Sequence, residues 1–281
     1  MGKGVNDNET FSALLENMLN KNGGRYEVIN CGIDSYSPVL QYLQLKEKID
    51  LINPDLVILN FDMSDLVQEY VYRKSGSFDE DGNIIAVNGI EKETKDPVFK
   101  RLRGWIYSNM LTVSIIHQYI YYESYASELM NLENLVARPS TKLLEHTLKI
   151  YDDQEFNELF GLVKQSMMEI KKLCETKGCE YIITTYPWGH QVNNWEWVPG
   201  RYEFVPKSHE ISDRTVIELE KFTQQNDLPF LNTFPDFRSY QGKDPLYYKY
   251  DMHWTEAGHE VMALSINNFL DNYINSSEYN K

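Results

Sequence analysis

The sequence predicts a doubly wound α/β fold built on a parallel sheet. Three observations carry that prediction. Helical and strand patterns alternate along the chain. The run Leu56-Val57-Ile58-Leu59-Asn60-Phe61 is almost wholly apolar, as in a strand buried on both faces of a parallel sheet. A long amphipathic helical pattern with a glycine stop leads into a second such run, Tyr181-Ile182-Ile183-Thr184-Thr185-Tyr186, which Pro187 terminates.

Each element follows from local signals. Thr10 is placed to cap a helix over 11–20, with Leu14, Leu15, Met18 and Leu19 on its apolar face. Residues 26–30 read as a short strand ending near Gly32. A helix over 37–49 carries Leu40, Leu43, Leu45 and Ile49. Pro54-Asp55 introduces the apolar strand. The long helix spans about 155–176 and stops at Gly178. A helix at 212–225 leads to a short strand at 228–231, and the last helix runs from Thr255 to about Tyr273.

Two segments interrupt the alternation. Residues 66–154 exceed what one crossover helix needs, and are expected to form an inserted, largely helical cap or subdomain within a single domain over 1–281. The insertion includes a hairpin turn at Asp79-Glu80-Asp81-Gly82-Asn83 and a helix over 97–132. Within that helix, 104–122 is rich in Trp, Tyr, Ile and Leu behind Lys100, Arg101 and Arg103. Ser108, Asn109, His117 and Gln118 make it too polar for a membrane span. Core packing of the insertion is the favoured reading; contact with a membrane surface and capping of a site remain open. The second segment, 188–207, holds Trp195, Trp197 and Arg201 in a loop after a strand's C-terminal end. Ligands of open α/β sheets bind at that edge, so these residues are candidates for a substrate rim.

Composition bounds the partners. The 281 residues suffice for one sizeable core, and 42% hydrophobic with 25% charged residues is ordinary for a globular chain. A net charge of −15 disfavours nucleic acid and anionic membranes. The three cysteines, Cys31, Cys174 and Cys179, have neither an even count nor metal-site spacing, so neither a disulfide framework nor a zinc site is expected. The first residues have no apolar core of a secretory signal, and the compartment stays open.

The chemistry gathers in Tyr250-Asp251-Met252-His253-Trp254-Thr255-Glu256-Ala257-Gly258-His259. An acid that orients an imidazole, which in turn takes a proton from a hydroxyl, is two-thirds of a nucleophilic triad. A metal pair, or a capping Asp beside a surface His, has the same spacing. A metal set of Asp251, His253 and His259 is the poorer alternative, because His259 falls one helical turn onward.

Taken in order, residues 4–11, Asn30-Cys31-Gly32, Pro54-Asp55-Leu56-Val57-Ile58-Leu59 and Asp251-Met252-His253-Trp254 resemble the SGNH (GDSL-like) hydrolase family. Asp-x-His-Trp is also similar to the motif of SGNH-like polysaccharide O-acetyltransferases. The likeness covers about residues 4–66 and 245–270. It implies a flavodoxin-like three-layer sheet and an ester hydrolase or O-acyl (acetyl) transferase that needs no cofactor. His253 would be the general base, Asp251 its orienting acid, and Gly32 an oxyanion donor. Ser64 stands where the family's oxyanion Asn belongs. Trp254, with Trp195, Trp197 and Arg201, would suit a small-molecule or carbohydrate ester.

The family's nucleophilic Ser lies in a Gly-Asp-Ser block at the end of the first strand, upstream of a segment like 4–11. Both that Ser and that strand are expected to be absent from this chain, which would leave it inactive as it stands. A truncated start accounts for the pair of losses more simply than a pseudoenzyme does. Ser12 lies within a helix, and Ser35 or Ser37 is only a remote substitute. Without a first strand, 26–30 is expected to pair directly with 56–61. The alternative reading is a non-catalytic domain of this fold that binds a glycan or partner.

Overall fold

The computed structural model describes residues 2–21, 23–87, 143–149, 151–207 and 210–275. A parallel sheet of three strands lies at its centre: β1 (Leu56–Phe61), β4 (Glu180–Thr185) and β5 (Phe230–Asn232), in the order β1-β4-β5. Leu56 pairs with Glu180 and Phe61 with Thr185, while Ile183 pairs with Phe230 and Thr185 with Asn232. A separate antiparallel hairpin joins β2 (Gly76–Phe78) to β3 (Ile84–Val87) through the expected Asp79–Asn83 turn. There, the Asp79 carboxylate accepts the amides of Asp81 and Asn83.

The helices are α1 (Phe11–Asn20), α2 (Pro38–Ile52), α3 (Asp65–Lys74), α4 (Asp153–Lys177), α5 (Gly189–Val192), α6 (Arg214–Gln225), α7 (Phe234–Ser239) and α8 (Glu256–Asn275). Their ends follow from capping chemistry. Thr10 accepts the Ala13 amide at the start of α1. Asp152 accepts that of Glu155, so α4 starts two residues before the pattern suggested. At its other end Gly178, at φ +75°, takes the left-handed conformation that closes the helix, and the Cys179 amide reaches back to the Cys174 carbonyl. α2 runs three residues past its expected end because Asn53 supplies the left-handed cap, immediately before Pro54.

Packing follows the apolar stripes. On α4, Phe156, Leu159, Phe160, Val163, Met167, Ile170 and Cys174 recur at three- and four-residue steps and are all buried. α2 and α3 pack on α4, and α1 packs on α8. Helix α3, which starts at Asp65 and otherwise falls within 66–154, packs on both α2 and α4. The helix over 97–132, including 104–122, lies outside the described residues. Among those described, no helix is long and apolar enough to cross a membrane.

Two expectations about strands are corrected. Residues 26–30 form no strand. The Asn20 side chain brackets Tyr26, accepting its N–H and donating to its carbonyl, and Glu16 Oε2 takes the Val28 N–H at 2.6 Å. Backbone groups bound to α1 side chains are lost to a sheet ladder. β1 consequently pairs with β4 alone among the described strands. Leu56, Val57 and Ile58 remain partly exposed, so β1 is not a strand enclosed on all sides. β4 holds that position instead, with Tyr181, Ile182, Ile183, Thr184 and Thr185 all buried. At β5 the strand starts at Phe230, because Pro229 lacks an N–H; its carbonyl still accepts from Ile183.

Burial separates sites of large and small consequence. Met167, fully enclosed in α4, should cost about 2–5 kcal/mol when replaced by Ala. Leu51→Ala, at a position 87% exposed, should stay within about 0.5 kcal/mol. Urea unfolding with an unchanged m-value tests both.

Candidate active site

Between Leu246 and Thr255 the chain folds back on itself. The Thr255 amide donates to the Leu246 carbonyl, the Tyr248 amide donates to that of His253, and Tyr247 bridges Trp254. Asp251 and His253 occupy this tight loop. Asp251 Oδ1 accepts both the backbone amide of His253 (3.1 Å) and its Nδ1. A carboxylate only accepts, so Nδ1 carries the hydrogen, and in the neutral ring the lone pair is then on Nε2. Burial alone would raise the Asp251 carboxyl, but the His253 hydrogen bonds and charge, with Lys3 nearby, hold it below the usual carboxylate range. The His253 side chain is 27% exposed, and no described hydroxyl is hydrogen-bonded to it.

Trp254 anchors this loop from below. It is 8% exposed and packs against Tyr186 (ring centroids 4.5 Å apart), His259 (5.3 Å), Phe237 (5.6 Å) and Phe11 (6.0 Å). The chain's first residues run alongside: Tyr248 donates its hydroxyl to the Gly4 carbonyl at 2.7 Å. Gly4 sits at φ +94°, and a Cβ there would stand 2.7 Å from the Tyr248 ring. The Phe11 amide donates to His259 Nδ1 at 3.2 Å, so the imidazole is an acceptor there. Burial, with His253 close by, pushes the His259 imidazole down to about 4. Among the described residues no three His, Cys, Asp or Glu side chains gather as a metal site.

At the C-terminal edge of the sheet, Asp62 directly follows β1. Its Oδ1 accepts the amide (2.7 Å) and hydroxyl (2.5 Å) of Ser64. Its Oδ2 accepts the Tyr186 hydroxyl and Trp188 Nε1 (2.9 Å), both from the chain leaving β4. Asp65, fully buried, takes the Asp62 amide at 2.9 Å. Burial first, then the neighbouring Asp62 charge, raises its carboxyl well above the usual range. One carboxylate therefore ties the ends of two neighbouring strands together beneath Trp254. Sequence reasoning passed over Asp62; its position one residue past a strand's C-terminal end was the available signal.

The other candidates fall in varied places. The Gly32 amide is occupied by the side chain of Asn30 at 3.0 Å, and the Ser64 hydroxyl by Asp62, so both proposed oxyanion donors already have acceptors. Trp195 is 73% exposed, as a rim residue must be. Trp197, Arg201 and Trp254 are buried and form walls under the surface rather than a rim. Trp197 packs on Trp188 and Phe204, with its own backbone at φ +56°. Of the serines, Ser12 contacts Thr10 and accepts from Asn30, Ser37 donates to buried Glu69, and Ser35 is exposed at φ +63°. All three cysteines are free.

Two measurements follow from this geometry. Asp62→Ala leaves the Tyr186 hydroxyl and Trp188 Nε1 without their acceptor, so urea unfolding should show a loss of about 1–3 kcal/mol for each orphaned group. Burial also pushes His146 down to about 3 and His190 well below its ordinary value. The unfolded chain binds these protons near pH 6.5 and the folded chain does not, so stability should fall as pH drops from about 6.5 toward 4. His146→Gln should reduce that slope by about 1.4 kcal/mol per pH unit.

Comparison with known protein-family models and with curated proteins finds no match to this chain.

Proposed function

We propose that Asp251 and His253 are the acid and base of an ester-bond acyl-transfer site, in an ester hydrolase or O-acyl (acetyl) transferase of SGNH type. The observation that carries this reading is the orientation of one imidazole. Its Nδ1 is held by a carboxylate two residues away, and its Nε2 is left to receive a proton. The parallel order β1-β4-β5 is compatible with one half of a flavodoxin-like sheet and supports the finer fold assignment to the same extent.

In this reading His253 draws the proton from a hydroxyl as its oxygen attacks an ester carbonyl, and returns it to the leaving alcohol. Asp251 fixes the tautomer and balances the imidazolium. No described serine stands in the attacking position, so the described residues supply the base and orienter of the reaction but not its nucleophile.

A second reading, a non-catalytic glycan- or partner-binding domain, is favoured by one specific finding. The Gly32 amide and the Ser64 hydroxyl are satisfied by Asn30 and Asp62, which leaves neither free for an oxyanion.

Hydrolysis of p-nitrophenyl acetate separates the readings. Without the serine, the acyl-transfer reading expects no acyl-enzyme and no burst; His253 can still draw a proton from water, and that slow residual hydrolysis should fall about tenfold or more in His253→Ala. Hydrolysis unchanged by that substitution would remove His253 from the chemistry; absence of any rate above the buffer would leave the binding reading.

A further inference from the structure

Among the described residues, Arg201 stands apart from the other buried cation, Arg73. Arg73, 7% exposed, is paired with Glu69 at 2.9 Å and Glu169 at 3.1 Å. Arg201 is 8% exposed and makes no ion pair with any described carboxylate. Its Nη1 donates to the Asn193 carbonyl at 2.8 Å, and its Nε has no partner. An acid is close in sequence, but the buried Glu196 carboxylate turns away to accept the amides of Leu246 and Tyr247. Enclosing a guanidinium without an anion is costly, and more conspicuous in a chain with 42 acidic residues against 27 Lys and Arg.

A second orphaned donor lies beside it. Trp197 is 2% exposed and its Nε1 has no acceptor. That nitrogen faces the bare Cα of Gly200, the residue before Arg201; a Cβ there would stand 2.6 Å from it. The Arg201 amide donates to the Trp197 carbonyl, which folds indole and guanidinium onto one turn. His190 completes the surroundings. Its ring lies 6.2 Å from that of Trp197, its Nε2 is 3.0 Å from Thr147 Oγ1, and its Nδ1 is unpartnered. This turn abuts the catalytic loop, because the Gly200 amide donates to the Lys249 carbonyl two residues before Asp251.

We propose that Arg201 Nε and Trp197 Nε1 form a binding site for one small carboxylate, placed beside the Asp251–His253 loop. Two N–H donors match the two oxygens of a carboxylate, and a guanidinium edge is suited to that planar acceptor. His190 and His146 are buried and neutral at pH 7, so one guanidinium balances one negative charge and not the two of a phosphate dianion. Both donor nitrogens are shut off from solvent, so a guest that meets them is a small one. The site goes beyond the ester chemistry and does not depend on it.

The test uses sodium acetate as the probe, on the full chain labelled with nitrogen-15, against sodium chloride and sodium phosphate at matched ionic strength. Acetate should shift the Arg201 Nε and Trp197 Nε1 resonances together and saturably, and raise Tm. Phosphate should bind more weakly, and chloride should do neither. Arg201→Met should weaken acetate binding about tenfold or more, while Lys221→Met, which removes an exposed cation paired with Glu218, should not. The resonances of the unaltered chain decide the matter even if Arg201→Met does not fold. Absence of a saturable acetate shift would assign both donors to water and overturn the proposal. Phosphate binding as tightly as acetate would overturn the carboxylate assignment. Neither result bears on His253, whose role is read from ester hydrolysis alone.

Discussion

The parallel pairing of β1 with β4 fixes everything at the candidate site, because it brings two chain exits to one edge. Phe61 and Thr185 are register partners, so the residues that follow them, Asp62 on one side and Tyr186 to Trp188 on the other, must emerge together. A carboxylate and two aromatic N–H or O–H donors then meet, and the exits are tied. Tyr186 supports Trp254 from below, and Trp254 leads out of the loop that carries Asp251 and His253. The acid–base pair thus inherits its place from a strand register some distance away, through one polar anchor and one aromatic contact.

What the sequence revealed depended on how local each interaction is. The start of α1 was readable because its cap, Thr10, binds Ala13 three residues on. Gly178 marked the end of α4 for the same reason. Asp251 and His253 were readable because an acid and an imidazole two residues apart can touch within a single turn of chain. Asp62 was not, since its partners Tyr186 and Trp188 lie 124 and 126 residues away and neither signals the other. Residues 26–30 misled through a competition that pattern cannot weigh. They read as a short strand, but Glu16 and Asn20 on the preceding helix take the backbone groups that pairing would use.

The loop 188–207 shows a similar limit. Tryptophan and arginine after a strand suggested an open rim, and only Trp195 fits that picture. The same residue types also form enclosed walls when a glycine lets the backbone come close. Gly189, where a Cβ would meet Trp197 at 2.7 Å, and Gly200 both do so. Residue type gave the chemistry of the donors, and close backbone approach decided whether they face water.

The outer edge of β1, unpaired among the described strands, has a consequence for the molecule in bulk. Among the described strands none pairs with that edge, and the aliphatic side chains of Leu56, Val57 and Ile58 are only partly buried. Such an edge is a template on which strands of other molecules can assemble. Mutual repulsion from a net charge of −15 opposes such assembly. That repulsion reaches only about 8–10 Å at ordinary ionic strength and shortens to about 3 Å in molar salt. Colloidal behaviour is therefore set by a contest between a short apolar ladder and a long-range field, and concentrated salt tilts it toward association.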